Sequence, residues 1–273
     1  MWRKTTALPA FEPLKEDIET DVLIAGAGIV GITTAYLLVQ AGLKVAVIDA
    51  GKILDGTTGY TTAKITAQHG LIYDKLLNHF GKEGARLYYE ANEEALGFIA
   101  DTVKKRKIDC QFRREDAYLY ADSDEQLQKL EAEWKAYKEL DLPAEWLDSL
   151  SLPLSAKGAI VLKNQAQFHP LHYLRDLAEF VAESGGTFYE NTTMRDPAED
   201  LEDGRLKLSS EDGIRSSAAT LFPPPTFRSS TAKGCTLPGS IPSGPMRSPS
   251  SPSSRIPEAC TSTAGTLNVA ALG

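Results

Sequence analysis

The stretch that most constrains the fold is "TDVLIAGAGIVGITTAYLLVQAGLKVAVIDAG", residues 20–51. Its first part is an apolar run of strand length that ends in glycines, as in a parallel strand buried on both faces. Apolar residues then recur at helical spacing from Ile29 to Val39, and Gly42 is a suitable helix stop. A second apolar run ends at Asp49. This order of strand, glycine turn, helix and strand predicts the first βαβ unit of an α/β sheet.

The glycines of this stretch each allow a different contact. Gly26 permits the tight turn, Gly28 lets a pyrophosphate approach the backbone, and Gly31 lets the helix pack on the strand. The helix N-terminus offers free N–H groups and a partial positive charge to phosphates. Asp49 lies at the end of the second strand, where it can accept hydrogen bonds from a ribose diol. The stretch therefore predicts a dinucleotide site.

The following segment, "GKILDGTTGYTTAKITAQHG", indicates which dinucleotide binds. A nicotinamide-binding domain is expected to return promptly to helix. This chain instead runs through glycines and threonines before a helix resumes near Leu71. Small hydroxyl residues in a loop can donate hydrogen bonds and let a flat ring approach closely. The loop favours a long flavin dinucleotide, and a nicotinamide-dependent dehydrogenase stays as the alternative.

At this point the chain resembles the FAD-dependent oxidoreductases of the D-amino-acid oxidase and glycine oxidase family. The resemblance implies that Asp49, with Ala50 beside it, contacts the adenosine ribose. It implies that the small-residue loop lies along the pyrophosphate and isoalloxazine, with these residues at the cofactor: Thr58, Gly59, Thr62, Ala63 and Lys64. Lys64 departs from the hydrophobic residue often found there. It could stabilise a reduced, anionic ring, or it could be a solvated or structurally paired lysine.

The resemblance extends to about Ile214 and implies a domain organisation. A strand, an amphipathic helix and a Leu-Pro turn resemble the excursion into a substrate domain. A Phe-His-Pro corner, a helix from Leu171 and a strand from Thr187 resemble the return. We expect an FAD/NAD(P)-binding three-layer, Rossmann-like α/β fold with part of an inserted α+β substrate domain. The expected segments are an N-terminal arm (1–19), the FAD-binding domain (20–112), a partial substrate domain (113–165), a return to the FAD-binding domain (166–216) and a disordered tail (217–273).

The four histidines give no convincing catalytic or metal-binding pattern. His169 could face a flavin as a titratable group, but we favour a role in holding the strand-to-helix corner by hydrogen bonds. His69 closes the loop and could cap the next helix. His79 and His172 are expected to be ordinary surface residues on helices. No metal site is predicted, and no catalytic residue is identified.

Charge and cysteine content narrow the class of partner. A formal net charge of −8 argues against binding to a nucleic-acid backbone. Three cysteines without a C-x-x-C pattern fit a reducing cytoplasm, and no signal peptide is predicted. No charged residue lies between Asp21 and Lys44, but this segment contains glycines, threonines and Gln40, so no membrane span is predicted. A small-molecule substrate is expected, and the sequence does not predict an oligomeric state.

The sequence changes character after about Ser216. From Ala218 onward there is one acidic residue, against four basic ones, and nine of the chain's 15 prolines lie there. Codons permitted for residues 224–238, read from one nucleotide earlier, can encode "ATHFPFFDGKGLYFA", which is richer in aromatic residues and glycine than the peptide in the chain. We therefore hypothesise a reading-frame shift near 216–219 and a disordered, out-of-frame tail.

The resemblance and the tail lead to two hypotheses about the function of this chain. The first is FAD-dependent oxidation of an amine or amino acid by hydride transfer to flavin N5. The second is a catalytically inert fragment of such an enzyme from a frameshifted gene. FAD is the expected cofactor of the enzyme, whereas purified protein without flavin and without activity would support the inert fragment.

Overall fold

A computed structural model describes residues 2–150, 156–195, 199–200, 205–222 and 269–271. The helices within these ranges are α1 (Trp2–Thr5), α2 (Ile29–Gln40), α3 (Tyr73–Arg106), α4 (Asp124–Glu139) and α5 (Pro170–Glu183), and one 3₁₀ turn spans Thr57–Tyr60. The strands are β1 (Ile18–Ala25), β2 (Val45–Ile48), β3 (Lys64–Ile65), β4 (Arg113–Ala121), β5 (Ala144–Leu147), β6 (Gly158–Gln167), β7 (Thr187–Tyr189), β8 (Glu199–Asp200), β9 (Leu206–Ser209), β10 (Arg215–Phe222) and β11 (Val269–Ala271).

The first sheet carries the predicted βαβ unit. Its strand order is β7-β2-β1-β10-β9-β8. The first four strands in this order, β7, β2, β1 and β10, run parallel. β9 and β8 continue the sheet in antiparallel fashion. Ile24 of β1 pairs with Val47 on one side and with Phe222 on the other. The chain leaves β1 toward β2 and returns to its opposite side as β10, so the strand order reverses between β1 and β10.

Alternate residues of the parallel strands enter two different cores. Val22 and Ile24 face the helices, while Leu23 between them faces the opposite side of the sheet. The same alternation divides Val47 from Ala46 and Ile48. All of these residues are buried. Burial on both faces explains why the strands read as continuous apolar runs rather than as alternating ones.

Helix α5 covers this sheet together with α2, and its ends follow the local sequence. His169 is the N-cap, and its side chain accepts a hydrogen bond from the backbone N–H of His172. Pro170 occupies the first turn, where its missing N–H costs nothing. Gly185 lies just beyond the helix with a φ of +89°, a conformation that favours glycine. The predicted helix and its boundaries are confirmed.

The second sheet is built on the antiparallel pair β4 and β6. β11 pairs with the free edge of β4, while β5 and β3 share the other edge of β6. α4 packs on this sheet through Leu130, Ala136 and Tyr137, which are buried. The strand, amphipathic helix and Leu-Pro turn predicted for this region are present.

Helix α3 connects the two cores. It is interrupted at Gly81, whose φ of +69° is non-helical. Ala85 and Tyr89 pack in the core of the second sheet, whereas Phe98 and Val103 pack against the core of the first. The long helix therefore fixes the second sheet relative to the parallel one.

Two predicted boundaries differ from the structure. The tail was expected from residue 217, but β10 continues to Phe222 because its backbone pairs with β1 from Ile18 to Ile24. Ala218, the first residue of the compositionally altered stretch, is fully buried. Similarly, β6 continues to Gln167, past the boundary expected at 165. The rest of the predicted tail, 223–268 and 272–273, lies outside the described residues.

No helix in the described part of the chain is long and apolar enough to cross a membrane. The residues between Asp21 and Lys44, which carry no charge, form the end of β1 and the 12-residue α2 instead.

Candidate functional site

The glycine turn after β1 is constrained by close backbone contacts. Gly26 has a φ of +99°, and its N–H donates to the carbonyl of Ile48 at 2.7 Å. A Cβ on Gly31 would stand 1.9 Å from the carbonyl oxygen of Gly26, far inside van der Waals contact. Gly28 is the N-cap of α2, and a Cβ there would lie 3.3 Å from the hydroxyl oxygen of Thr58. The turn thus requires glycine for backbone conformation at Gly26 and for space at Gly31.

A cavity of about 340 Å³ opens at this turn. Residues 25–31 form one wall, Leu54 and residues 56–58 form another, and Asp49 and Phe222 complete the lining. The cavity lies outside the carboxyl ends of β1 and β10, where the strand order reverses. Open α/β sheets bind ligands at this position, and the volume is within the usual range for small-molecule sites.

The N-terminus of α2 supplies the positive potential of the cavity. N–H groups in the first turn of a helix have no carbonyl partners within that helix, and the helix dipole adds partial positive charge there. Thr58 approaches this turn, and its hydroxyl oxygen accepts the N–H of Ile29 at 3.1 Å. Of the lining residues, Asp49 alone carries a charged side chain. Phosphate binding here would therefore depend on backbone dipoles rather than on Lys or Arg.

Asp49 connects the glycine turn to the loop after β2. Its Oδ2 accepts the N–H of Ala27 at 2.7 Å, and its Oδ1 accepts the N–H of Gly51 at 2.8 Å. Each carboxylate oxygen keeps a second lone pair, so the group can still accept a hydroxyl hydrogen bond from a ligand. Asp49 faces the cavity, whereas Ala50 is exposed and does not line it.

The remaining predicted loop residues lie beyond the cavity lining. Gly59 is buried against the side chain of Arg3, and Thr62 is exposed. Ala63 is buried with a φ of +64°, and Lys64 begins β3, opposite Gln167 of β6. The loop therefore leaves the cavity and runs to the second sheet. The structure brings together the three glycines, Asp49 and Thr58. It leaves Ala50 exposed beside Asp49 and places Gly59, Thr62, Ala63 and Lys64 farther along the loop.

Three further residues shape this site without having been predicted. Leu54 lines the cavity with a φ of +59°, and its N–H donates to the carbonyl of Ala27 at 3.0 Å. Phe222 reaches the cavity through the pairing of β10 with β1. Glu190, only 3% exposed, accepts the N–H of Ile53 at 2.9 Å from behind the loop. A leucine at positive φ and a distant carboxylate leave no local sequence signal.

The His169 corner has the structural role that we favoured. Because Nδ1 accepts the N–H of His172, the neutral ring carries its proton on Nε2. That nitrogen lies 3.0 Å from the hydroxyl oxygen of Thr5. Burial, and then the neighbouring His172, lower the pKa of His169 below its ordinary value. His172 is half-buried, with its ring stacked on that of His169 at 3.7 Å, so the expectation of an ordinary surface residue was wrong.

His69 does not cap α3. Its Nε2 lies 3.2 Å from Oδ1 of Asn92, and the ring is exposed. The start of α3 is capped instead by the fully buried Glu133 of α4, which accepts three backbone N–H groups, those of Ile72, Tyr73 and Asp74, at 2.8–3.0 Å. A carboxylate is favourable at a helix N-terminus, and here it arrives from a distant part of the chain.

Two other sources of reactivity can be assessed in the described residues. Burial raises the pKa of the Cys110 thiol to about 11, so this group stays protonated at neutral pH and is a poor nucleophile. No group of three or more His, Cys, Asp or Glu side chains is placed to hold a metal ion in the described ranges.

The geometry fits the adenosine and pyrophosphate half of a dinucleotide. The Gly31 contact leaves no space for a side chain, the α2 N-terminus faces the cavity, and Asp49 has free acceptor capacity. Fold and site together define an α/β dinucleotide-binding protein.

Comparison with known proteins identifies the family. The family model described as FAD-dependent oxidoreductase matches residues 21–221. The chain belongs to this FAD-dependent oxidoreductase family, in which FAD is the cofactor. The predicted family, fold class and cofactor are thereby confirmed, and the matched range ends within β10 rather than at 216.

Two relatives show how much of the protein this chain represents. It is 48% identical over 195 residues to the putative Rieske 2Fe-2S iron-sulfur protein YhfW of Bacillus subtilis, covering 71% of this chain and 38% of the relative. It is 28% identical over 188 residues to gamma-glutamylputrescine oxidoreductase of Escherichia coli, covering 66% of this chain and 43% of that relative. The chain thus spans less than half the length of these relatives.

Solved structures show the same fold at low sequence identity. Glycine oxidase from Geobacillus kaustophilus matches with a TM-score of 0.63 and 18% identity, over 75% of this chain and 55% of that one. L-proline dehydrogenase from P. horikoshii matches with a TM-score of 0.57 and 17% identity, over 78% of this chain and 54% of that one.

Proposed function

We propose that this chain binds FAD and is the cofactor-binding part of an oxidoreductase that oxidises an amine or amino acid. The observation that carries the proposal is the cavity at the β1–β10 reversal, where the three glycines, Asp49 and Thr58 converge in a chain of the FAD-dependent family. The substrate class is supported by the names of two similar proteins: one sequence relative is a gamma-glutamylputrescine oxidoreductase, and one solved structure with the fold of this chain is a glycine oxidase.

The described residues divide the cofactor between two regions. The first turn of α2 would hold the pyrophosphate through N–H groups, and Asp49 would accept from the adenosine ribose. Thr58, already bonded to the N–H of Ile29, would border the phosphates. The path from Gly59 and Thr62 to Ala63 and Lys64 would continue along the flavin, as the family resemblance implies.

Catalysis would depend on the cofactor for the redox step. Bound FAD would supply the hydride acceptor, flavin N5, which protein side chains cannot provide. The chain's own residues would bind and orient that group. We assign no described residue to proton transfer. A cytoplasmic location and a small-molecule substrate belong to the same proposal.

The alternative is a chain that binds FAD but does not turn over substrate, or one that binds none. The abrupt change in charge and proline content after β10 favours this alternative, because the residues that follow β10 do not have the composition of a globular domain. A nicotinamide-dependent dehydrogenase remains the third possibility, against which the threonine-rich loop argues.

Binding and turnover can be measured separately. Apo-protein is titrated with FAD, with flavin fluorescence as the readout, and in parallel with NADH. Saturable FAD binding without comparable NADH binding is expected. Loaded protein is then mixed anaerobically with a panel of amines and amino acids while the flavin absorbance is followed.

Each outcome decides between the candidates. Bleaching by a panel member supports the oxidoreductase, whereas bound FAD that no member bleaches supports the inert product. Selective NADH binding refutes the FAD proposal. Sequencing the gene from codon 210 onward tests the frame hypothesis, because early stop codons in the alternative frame would refute it.

A further inference from the structure

The N-terminal segment lies against the loop that borders the candidate cofactor cavity. The indole N–H of Trp2 donates to the carbonyl of Thr61 at 2.9 Å. Arg3 forms an ion pair with Asp55, and its Nη1 donates to the hydroxyl of Tyr60 at 2.7 Å. The guanidinium also lies 5.7 Å from the centre of the Tyr60 ring. Both ends of the 55–61 loop are therefore in contact with two adjacent residues of α1.

The same segment is anchored on its other side to the start of α5. His169 Nε2–H donates to the hydroxyl oxygen of Thr5 at 3.0 Å, and that hydroxyl donates to the carbonyl of Trp2 at 3.0 Å. The Trp2 ring meets the His169 ring edge to face, with centroids 4.7 Å apart. Hydrogen bonds on the two sides of Trp2 thus link the N-cap of α5, through Thr5, to the loop carbonyl of Thr61.

The loop held in this way supplies part of the cavity wall. Thr57 and Thr58, in the middle of the loop, line the cavity. The Thr58 hydroxyl accepts the N–H of Ile29 in the first turn of α2. Gly59 lies directly under Arg3, since a Cβ on Gly59 would stand 3.2 Å from the arginine Cδ. Moving Arg3 would therefore free the residues adjacent to Thr58.

We propose that Trp2 and Arg3 are positioning residues, which hold the 55–61 loop in the conformation that binds the cofactor. This inference rests on the proposed FAD site. Neither residue lines the cavity, so each would act through the loop rather than by touching the cofactor. The ion pair is exposed and contributes little alone. The indole hydrogen bond and the ring contacts supply the rest of the restraint.

The test measures loop mobility and cofactor affinity in the full chain. Variants are Trp2→Leu, Trp2→Phe, Arg3→Gln and Arg3→Lys, with Lys4→Gln as the matched control on the exposed side of the same short helix. Hydrogen–deuterium exchange of the apo-protein is followed in peptides covering 53–62, with β6 peptides as the internal reference. FAD affinity is measured by flavin fluorescence.

We expect faster exchange in the 53–62 peptides of Trp2→Leu and Arg3→Gln, with β6 unchanged. FAD should bind about tenfold more weakly to Trp2→Leu, the factor for losing one hydrogen bond together with a ring contact. Trp2→Phe keeps an aromatic ring but no indole N–H, so it should bind FAD more tightly than Trp2→Leu and more weakly than the wild type. Arg3→Lys keeps the positive charge, so its FAD affinity should lie between those of Arg3→Gln and the wild type. A residue that merely stabilises the fold would not give this graded recovery.

The outcomes separate this inference from the FAD proposal. Unchanged exchange in the loop, or a loss of FAD affinity equal to that of Lys4→Gln, would overturn the positioning role. A wild-type protein that binds no FAD would refute the FAD proposal and with it any role in cofactor binding. Loop exchange in the same experiment would still show whether Trp2 and Arg3 anchor the loop. Equal loosening of β6 would indicate general unfolding and also overturn the inference.

Discussion

Replacing Asp49 by Asn should weaken both the cofactor site and the fold around it. The carboxylate uses one oxygen for the N–H of Ala27 and the other for the N–H of Gly51. An asparagine amide has a single acceptor oxygen. One of the two backbone N–H groups would then face an NH₂ group and lose its partner, while the other would lose the charge on its acceptor.

The magnitude follows from these two bonds. Hydrogen bonds to charged groups contribute about 1.5–3 kcal/mol, and an unsatisfied buried donor costs about 1–3 kcal/mol. Because Asp49 is only half-buried and water can reach part of the site, we expect the lower end, about 2 kcal/mol. A loss of that size lowers the melting temperature of a domain this large by roughly 4–8 °C. The affinity for FAD should fall by at least tenfold, since the ribose also loses a charged acceptor.

Asp21→Asn is the matched control. Asp21 also accepts one backbone N–H, that of Lys44 at 2.8 Å, but it lies at the opposite end of the β1–β2 pair. Its replacement keeps an acceptor oxygen for that single bond. Thermal unfolding and FAD titration are measured on both variants and on the wild type. If Asp49→Asn binds FAD as tightly as Asp21→Asn, or unfolds at the wild-type temperature, the role assigned to Asp49 is wrong.

Four further outcomes test other parts of the structure. Gly31→Ala should abolish FAD binding and lower the melting temperature, because its Cβ would overlap the carbonyl oxygen of Gly26; retained binding in the titration would contradict the tight turn. Glu133→Gln should destabilise the protein by about 1–3 kcal/mol in denaturant unfolding, since three N–H groups then share one acceptor oxygen; an unchanged midpoint would refute the capping role. The lowered pKa of His169 means that the fold favours its neutral form. The resulting stability is complete above the unfolded-state pKa of about 6.5 and is lost as the pH falls below it, so the melting temperature between pH 7.5 and 5 should fall more for the wild type than for His169→Asn. Cys110, with its pKa raised to about 11, should stay unmodified by iodoacetamide at pH 8 in the folded protein, and peptide mapping that finds it alkylated would contradict its burial.

The βαβ unit could be predicted because its signals are local. Apolar runs, helical periodicity and the positions of Gly26, Gly28 and Gly31 all lie within one short stretch, and backbone geometry translates them directly into a strand, a turn and a helix. Both ends of α5 were predictable for the same reason, since Pro170 acts on the first turn and the paired glycines act on the backbone just after the last one.

Composition was a poorer guide to where the ordered chain ends. Residues 217–222 belong to the predicted disordered tail, yet they form most of β10. A strand between β1 and β9 gains hydrogen bonds on both edges, and this gain depends on partners far away in the sequence.

The sequence by itself therefore determined the dinucleotide motif, the order of elements and the family, because these depend on residues close together in the chain. The tertiary structure alone decided which distant groups complete the site. Phe222 reaches the cavity, Glu190 holds the loop from behind, and Trp2 and Arg3 contact it from the N-terminus. These contacts form only when strands and helices pack, and no pattern along the chain encodes the distance between two residues that folding brings together.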